Sequence, residues 1–147
     1  MPMIITRPTS IEVIEKITPF VTMSDPKLVE LYLMDLASVM MHNPMSLLFL
    51  TWFEEDEIRG FLTARDLGPQ YPYAAVTQFW GHTLNPRDWI EPFFKLTILW
   101  AVAHDKKYLR AETQRDLGAF YRRFGFEPYL QVVKFDLADS TKELLNG

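Results

Sequence analysis

The 147-residue chain has no cysteine, so structural disulfides, thiolate metal sites and thiol nucleophiles are excluded. It has three histidines, His42, His82 and His104, and no HExxH or His-x-His cluster, so no metal centre is expected. Positive charge is not in excess. Fifteen Lys and Arg against 19 Asp and Glu leave a net charge of −4, and no basic stripe is available to neutralise nucleic-acid phosphates. The opening residues, MPMIITRPTS, lack the basic start, apolar stretch and small-residue cleavage site of a targeting segment. The most apolar window, 89–105, carries Glu91, Pro92 and Lys95. It falls short of the ~20 apolar residues a bilayer requires, which predicts a buried helix and a soluble, cytoplasmic protein without membrane contact. Glycine is scarce, six in all, with none between Gly81 and Gly118.

What is present is a core. Apolar residues make up 48% of the chain and aromatics 14%, which excludes global disorder. The length suits one domain that buries roughly two-thirds of its unfolded surface. We expect that domain over 1–137, followed by a polar tail at 138–147.

The pattern along the chain predicts a mixed architecture. Met3 to Thr6 reads as a strand stopped by Pro8. Thr9-Ser10 precedes a helical apolar spacing that ends at Pro19, and Ser24-Asp25-Pro26 opens a second helix that ends before Asn43-Pro44. Ser46 to Phe53 and Ile58 to Ala64, joined by the acidic turn Glu54 to Glu57, read as a hairpin. Leu67 to Pro72 reads as a loop, and Ala74 to Thr83 as a third strand of the meander with a bulge or close backbone approach at Gly81. A helix over 89–105, a strand at 108–113, a short helix at 115–124 closed by Gly125 and a strand at 129–137 complete the order β-α-α-β-β-β-α-β-α-β. Hairpins early and helical crossovers late predict an α+β fold of α/β/α layers, its sheet mostly antiparallel with a parallel crossover.

One segment carries a more specific signal. Phe120-Tyr121-Arg122-Arg123-Phe124-Gly125-Phe126, set between a predicted strand, helix and strand, resembles the C-terminal signature of the GNAT superfamily of N-acetyltransferases. The element order over 3–137 is also similar to that fold. The resemblance implies a site shared by acetyl-CoA and an amine, on a small molecule or a protein, between the fourth and fifth strands. It assigns Tyr121 as the proton donor to the leaving thiolate and places the acyl carbonyl against the backbone near Phe79, Trp80 and Gly81. His82, at the end of the same strand, stands where some members hold the base for the amine. Arg87 is the basic residue nearest the expected phosphate loop. A phenol with pKa near 10 and an imidazole with pKa near 6.5 suit those two proton-transfer roles.

Each of these residues also has a plainer reading. Tyr121 suits a hydrogen-bonded core position, His82 an ordinary strand end, and Arg87 a solvated turn pair with Asp88. The family's glycine-rich loop lets backbone N–H groups approach the pyrophosphate. The matching stretch here, LNPRDWIEPFFK at 84–95, contains no glycine, so the cofactor loop is atypical. Gln78 and Trp80 are expected to share a strand face, lining an acceptor pocket or filling the core. The His104-Asp105 pair reads as a helix end. These departures leave a second reading open: a GNAT-fold protein without catalysis, its groove filled by Trp89, Phe93 and Phe94, that acts through contact with a partner or with itself.

Overall fold

A computed structural model describes residues 4–23, 25–81 and 86–111, with no account of the side chains of 86–90. These residues belong to the compact unit Met1–Glu112. In chain order they form β1 (Ile5–Thr6), α1 (Val13–Ile17), a 3-10 turn (Thr18–Phe20), α2 (Lys27–His42), a second 3-10 turn (Pro44–Ser46), β2 (Leu47–Glu54), β3 (Glu57–Asp66), β4 (Tyr73–Gly81), α3 (Pro86–Ala103) and β5 (Tyr108–Ala111). The expected strand–helix–helix–meander–helix–strand order is found. The helix and strand expected after residue 112 lie outside the described residues.

The five strands lie in sequence order, antiparallel from β1 to β4, and β5 pairs with β4 in parallel through the α3 crossover. The β2–β3 turn is tight. Glu54 pairs with Glu57, and the two residues between them, Glu55 and Asp56, both have positive φ (50° and 65°), as a two-residue hairpin of right-handed twist requires.

Alternation along the strands divides the core in two. Leu47, Phe49 and Phe61 face α1 and α2, where they pack with Ile14, Ile17, Leu36 and Val39. The opposite face takes α3, whose Phe93 and Phe94 meet Phe79 edge-on at 6.2 and 5.2 Å between ring centres. The apolar α3 is therefore not covered by the N-terminal helices. Its inner stripe is buried at Phe93, Phe94, Thr97, Trp100 and Ala101, and Ile98, Leu99 and Val102 are exposed. Phe93 and Phe94 are buried in this sheet–helix core.

Three boundaries differ from the sequence expectation. The helix expected from Trp89 begins at Pro86, a residue suited to a first helical position because it lacks the N–H that would go unused there. It continues through Pro92. Pro19 does not terminate the first helical segment but lies within the 3-10 turn that extends it. The β4 bulge falls not at Gly81, which pairs in register with Gly60, but at Thr77. Thr63 pairs with Gln78 and Ala64 with Val76, so Thr77 is the extra residue. A bulge needs an unpaired residue, not a glycine. The close approach belongs to Gly60, where a Cβ would stand 3.3 Å from the Trp80 carbonyl oxygen and 3.4 Å from the Trp52 ring.

Candidate functional site

β4 is the element on which the site expectations converge, and its two halves are built differently. The inner half, Tyr73 to Val76, pairs residue for residue with Tyr108 to Ala111 of β5. The described pairing ends at Val76, and the next residue is the bulged Thr77. The outer half, Thr77 to Gly81, contains the three backbone positions expected to meet the acyl group: Phe79, Trp80 and Gly81.

Because the bulge adds one residue, it sets which way the outer half faces. Phe79 turns to α3. Gln78 and Trp80 turn to the other face, as expected, and their contacts are specific. The Trp80 ring stacks on Phe20 at 3.9 Å and 17°. The Gln78 side chain donates to the Thr22 carbonyl at 3.1 Å and accepts from the Thr22 N–H at 3.4 Å. Both residues thus fasten the segment between α1 and α2 onto β4.

The bulge is held by hydroxyls. Thr77 Oγ1 donates to the Thr63 carbonyl at 3.2 Å and lies 2.7 Å from Thr63 Oγ1, which in turn bonds the Tyr32 phenol of α2. Burial pushes the Tyr32 phenol up to about 12, so it stays protonated at any physiological pH and keeps its proton available to the hydroxyl chain. On the same face, Arg65 meets Asp35 of α2 at 3.0 Å.

The inner end of the sheet is held by charge. Asp66, the last residue of β3, receives Lys106 Nζ at 2.7 Å and the Gly68 N–H at 3.0 Å on one oxygen, and lies 2.8 Å from His104 Nδ1 with the other. Lys106, its side chain only 3% exposed, also donates to the Gly68 and Tyr71 carbonyls at 2.8 and 3.0 Å. The Lys106 hydrogen bond, with the Gly68 N–H and His104 adding to it, lowers the Asp66 carboxyl from 3.8 to about 2. His104-Asp105 is a helix end as expected. Asp105 takes positive φ (60°), its N–H bonds the Val102 carbonyl, and the Lys106 N–H bonds the Ala101 carbonyl. The His104–Asp66 pairing was not foreseen. Thirty-eight residues separate the two, and no local motif marks the contact.

Of the site residues expected from sequence, Phe79, Trp80 and Gly81 are brought together on outer β4. Arg87 lies in the first turn of α3. His82 and Tyr121 lie outside the described residues. Among the described residues no group of three or more His, Asp or Glu is arranged to hold a metal ion, and no helix is long and apolar enough to cross a membrane.

No family model and no curated protein matches the chain. Solved structures do. A predicted acetyltransferase of Clostridium acetobutylicum, determined with acetyl-CoA, aligns at a TM-score of 0.71 and 12% identity over 94% of this chain and 98% of its own. AAC(6')-Iy, in complex with the bisubstrate analogue CoA-S-monomethyl-acetylneamine, aligns at 0.69 and 13% over 92% and 98%. A Desulfovibrio desulfuricans protein described as an acetyltransferase of the GNAT family aligns at 0.62 and 13% over 84% and 81%. The chain has the GNAT fold. At these identities the likeness shows the GNAT architecture alone, and the chemistry of this GNAT-fold chain must be argued from its own residues.

Proposed function

We propose that the protein is an acyl-CoA N-acyltransferase that moves an acetyl group from acetyl-CoA to an amine. The observation that supports the reading most is in β4. The strand bulges at Thr77 against β3, two residues ahead of Phe79, in a sheet similar to those of structures that hold acetyl-CoA or a CoA analogue. A bulge interrupts the ladder and re-aims the backbone beyond it, as presenting backbone groups to an acyl carbonyl requires.

In this reading the amine nitrogen attacks the acetyl carbonyl carbon, a C–N bond forms, and the C–S bond breaks. Backbone groups at Phe79, Trp80 and Gly81 polarise the carbonyl. His82 or a water takes the amine proton, and Tyr121 returns one to the departing thiolate. Arg87, in the first turn of α3, meets a phosphate in this reading. The helix opens on Pro86, which contributes no N–H, so the grip on pyrophosphate falls more on side-chain charge than on backbone donors.

Isothermal calorimetry with acetyl-CoA tests this directly. A dissociation constant in the micromolar range is expected, and absence of heat at millimolar acetyl-CoA overturns it. With an accepted amine in hand, Tyr121→Phe lowers turnover, and undiminished turnover removes Tyr121 from the mechanism.

A second reading is favoured by the outward face of α2, where Leu31, Met34 and Met41 are all exposed. In it the GNAT fold is kept without catalysis and the protein acts by contact. Light scattering that finds a strict monomer, together with micromolar acetyl-CoA binding, excludes it.

A further inference from the structure

The hydroxyl chain at the bulge has a single direction that uses every proton. Each hydroxyl owns one hydrogen. The Thr77 hydroxyl is committed to the Thr63 carbonyl. The Thr63 hydroxyl therefore donates to Thr77 Oγ1, and the Tyr32 phenol donates to Thr63 Oγ1. The chain runs from α2 through β3 to β4 and ends on the residue that has no partner in the strand register. It spans three elements, and its last link joins the Thr77 side chain to the backbone of the strand beside it.

Gln78 and Trp80 hold the strand further out, by their contacts with Thr22 and Phe20; the hydroxyl chain acts at the bulged residue itself. The bulge could in principle slide, since a one-residue slip costs ladder bonds only locally, but a slip would carry Trp80 to the α3 face and Phe79 to the Phe20 face. The Thr77–Thr63 bonds select one register. The stack of Trp80 on Phe20 and the edge contacts of Phe79 with Phe93 and Phe94 agree with it. The pin sits one residue beyond the last described β4–β5 pair and two residues before the first of the expected carbonyl-binding positions.

We propose that Tyr32, Thr63 and Thr77 are positioning residues of the acyl-transfer site, their hydroxyl chain fixing the bulge that aims the backbone of Phe79 to Gly81 at the acyl carbonyl. This rests on the acyltransferase reading and adds to it a device that none of the site residues expected from sequence contains. Thr77→Val keeps the shape and removes the donor. Thr77→Ser restores the donor, and Tyr32→Phe removes the far end of the chain.

The test pairs calorimetry with acetyl-CoA and with CoA against amide hydrogen exchange at Gln78, Trp80 and Gly81. Thr77→Val is expected to weaken acetyl-CoA about tenfold, leave CoA within about twofold, and speed exchange at the three amides about tenfold. Thr77→Ser is expected to restore all three, and Tyr32→Phe to move them the same way by a smaller factor. Equal weakening of both ligands, or unchanged exchange in Thr77→Val, overturns the positioning role while the acyltransferase reading stands. Wild-type protein that binds neither ligand overturns both.

Discussion

The two halves of β4 solve the same problem with different chemistry. At the inner half, where β4 and β5 run paired, the surroundings are tied by an ammonium that donates to a carboxylate and two loop carbonyls, with an imidazole on the same carboxylate. At the outer half, beyond the bulge, the tie is a run of neutral hydroxyls and one amide side chain. The difference follows from what each region must do. Buried charges grip strongly once paired and cost a great deal when one partner is lost. Hydroxyls fix direction with little field, which leaves the local electrostatics of a reaction site to the reacting groups.

The comparison is broken most severely at the charged end. Asp66→Asn leaves the buried Lys106 ammonium with carbonyl partners only, and a loss of about 3 kcal/mol is expected at pH 7 by urea unfolding. The pH dependence has a definite sign. The folded carboxyl, at about 2, lies below its ordinary 3.8, so the stability it contributes is complete above about pH 4 and disappears as pH falls toward 2. The gap between wild type and Asp66→Asn should therefore close over that window, and a gap that persists at pH 2 contradicts the ion-pair account. Next in size is Gly60→Val, which pushes a side chain against the Trp80 carbonyl and the Trp52 ring. Overpacking there should cost about 2 kcal/mol and shift Trp fluorescence, because the strand it displaces is the outer half. Tyr32→Phe deletes one neutral hydrogen bond and should cost about 1 kcal/mol with no dependence on pH between 4 and 9. If it instead matches Asp66→Asn, the neutral end is as strongly tied as the charged one and the contrast fails. Smallest is Asp35→Ala. Its carboxylate is exposed where it meets Arg65, and a loss of about 0.5 kcal/mol is expected, reduced further by 0.5 M salt.

Much of the frame was legible because local signals and the fold agree. Pro26, Asn43-Pro44 and the acidic Glu54–Glu57 turn mark boundaries that the structure places within a residue or two, and strand alternation correctly grouped Gln78 with Trp80. What escaped was non-local. The bulge was expected at Gly81 because glycine is the usual sign of strand irregularity. Thr77 carries no such sign, and its hydroxyl partners lie 14 and 45 residues away in sequence. No local pattern marks Lys106 and Asp66 as partners, and only the fold sets them side by side. That Phe93 and Phe94 are buried against Phe79 of β4 is likewise a non-local contact, which helical periodicity alone does not specify.

The clamp also changes what the Leu67–Pro72 connection is. Surface loops ordinarily absorb insertions with little effect, and a protein engineer looking for a graft point would choose this one for its glycine and two prolines. Two of its carbonyls, however, are ligands of a sequestered ammonium, and lengthening the segment by even one residue would move one of them away. The Glu55–Asp56 hairpin tip, exposed and flanked by the Arg59 ion pairs with Glu54 and Glu57, is the place where foreign sequence can be spliced in.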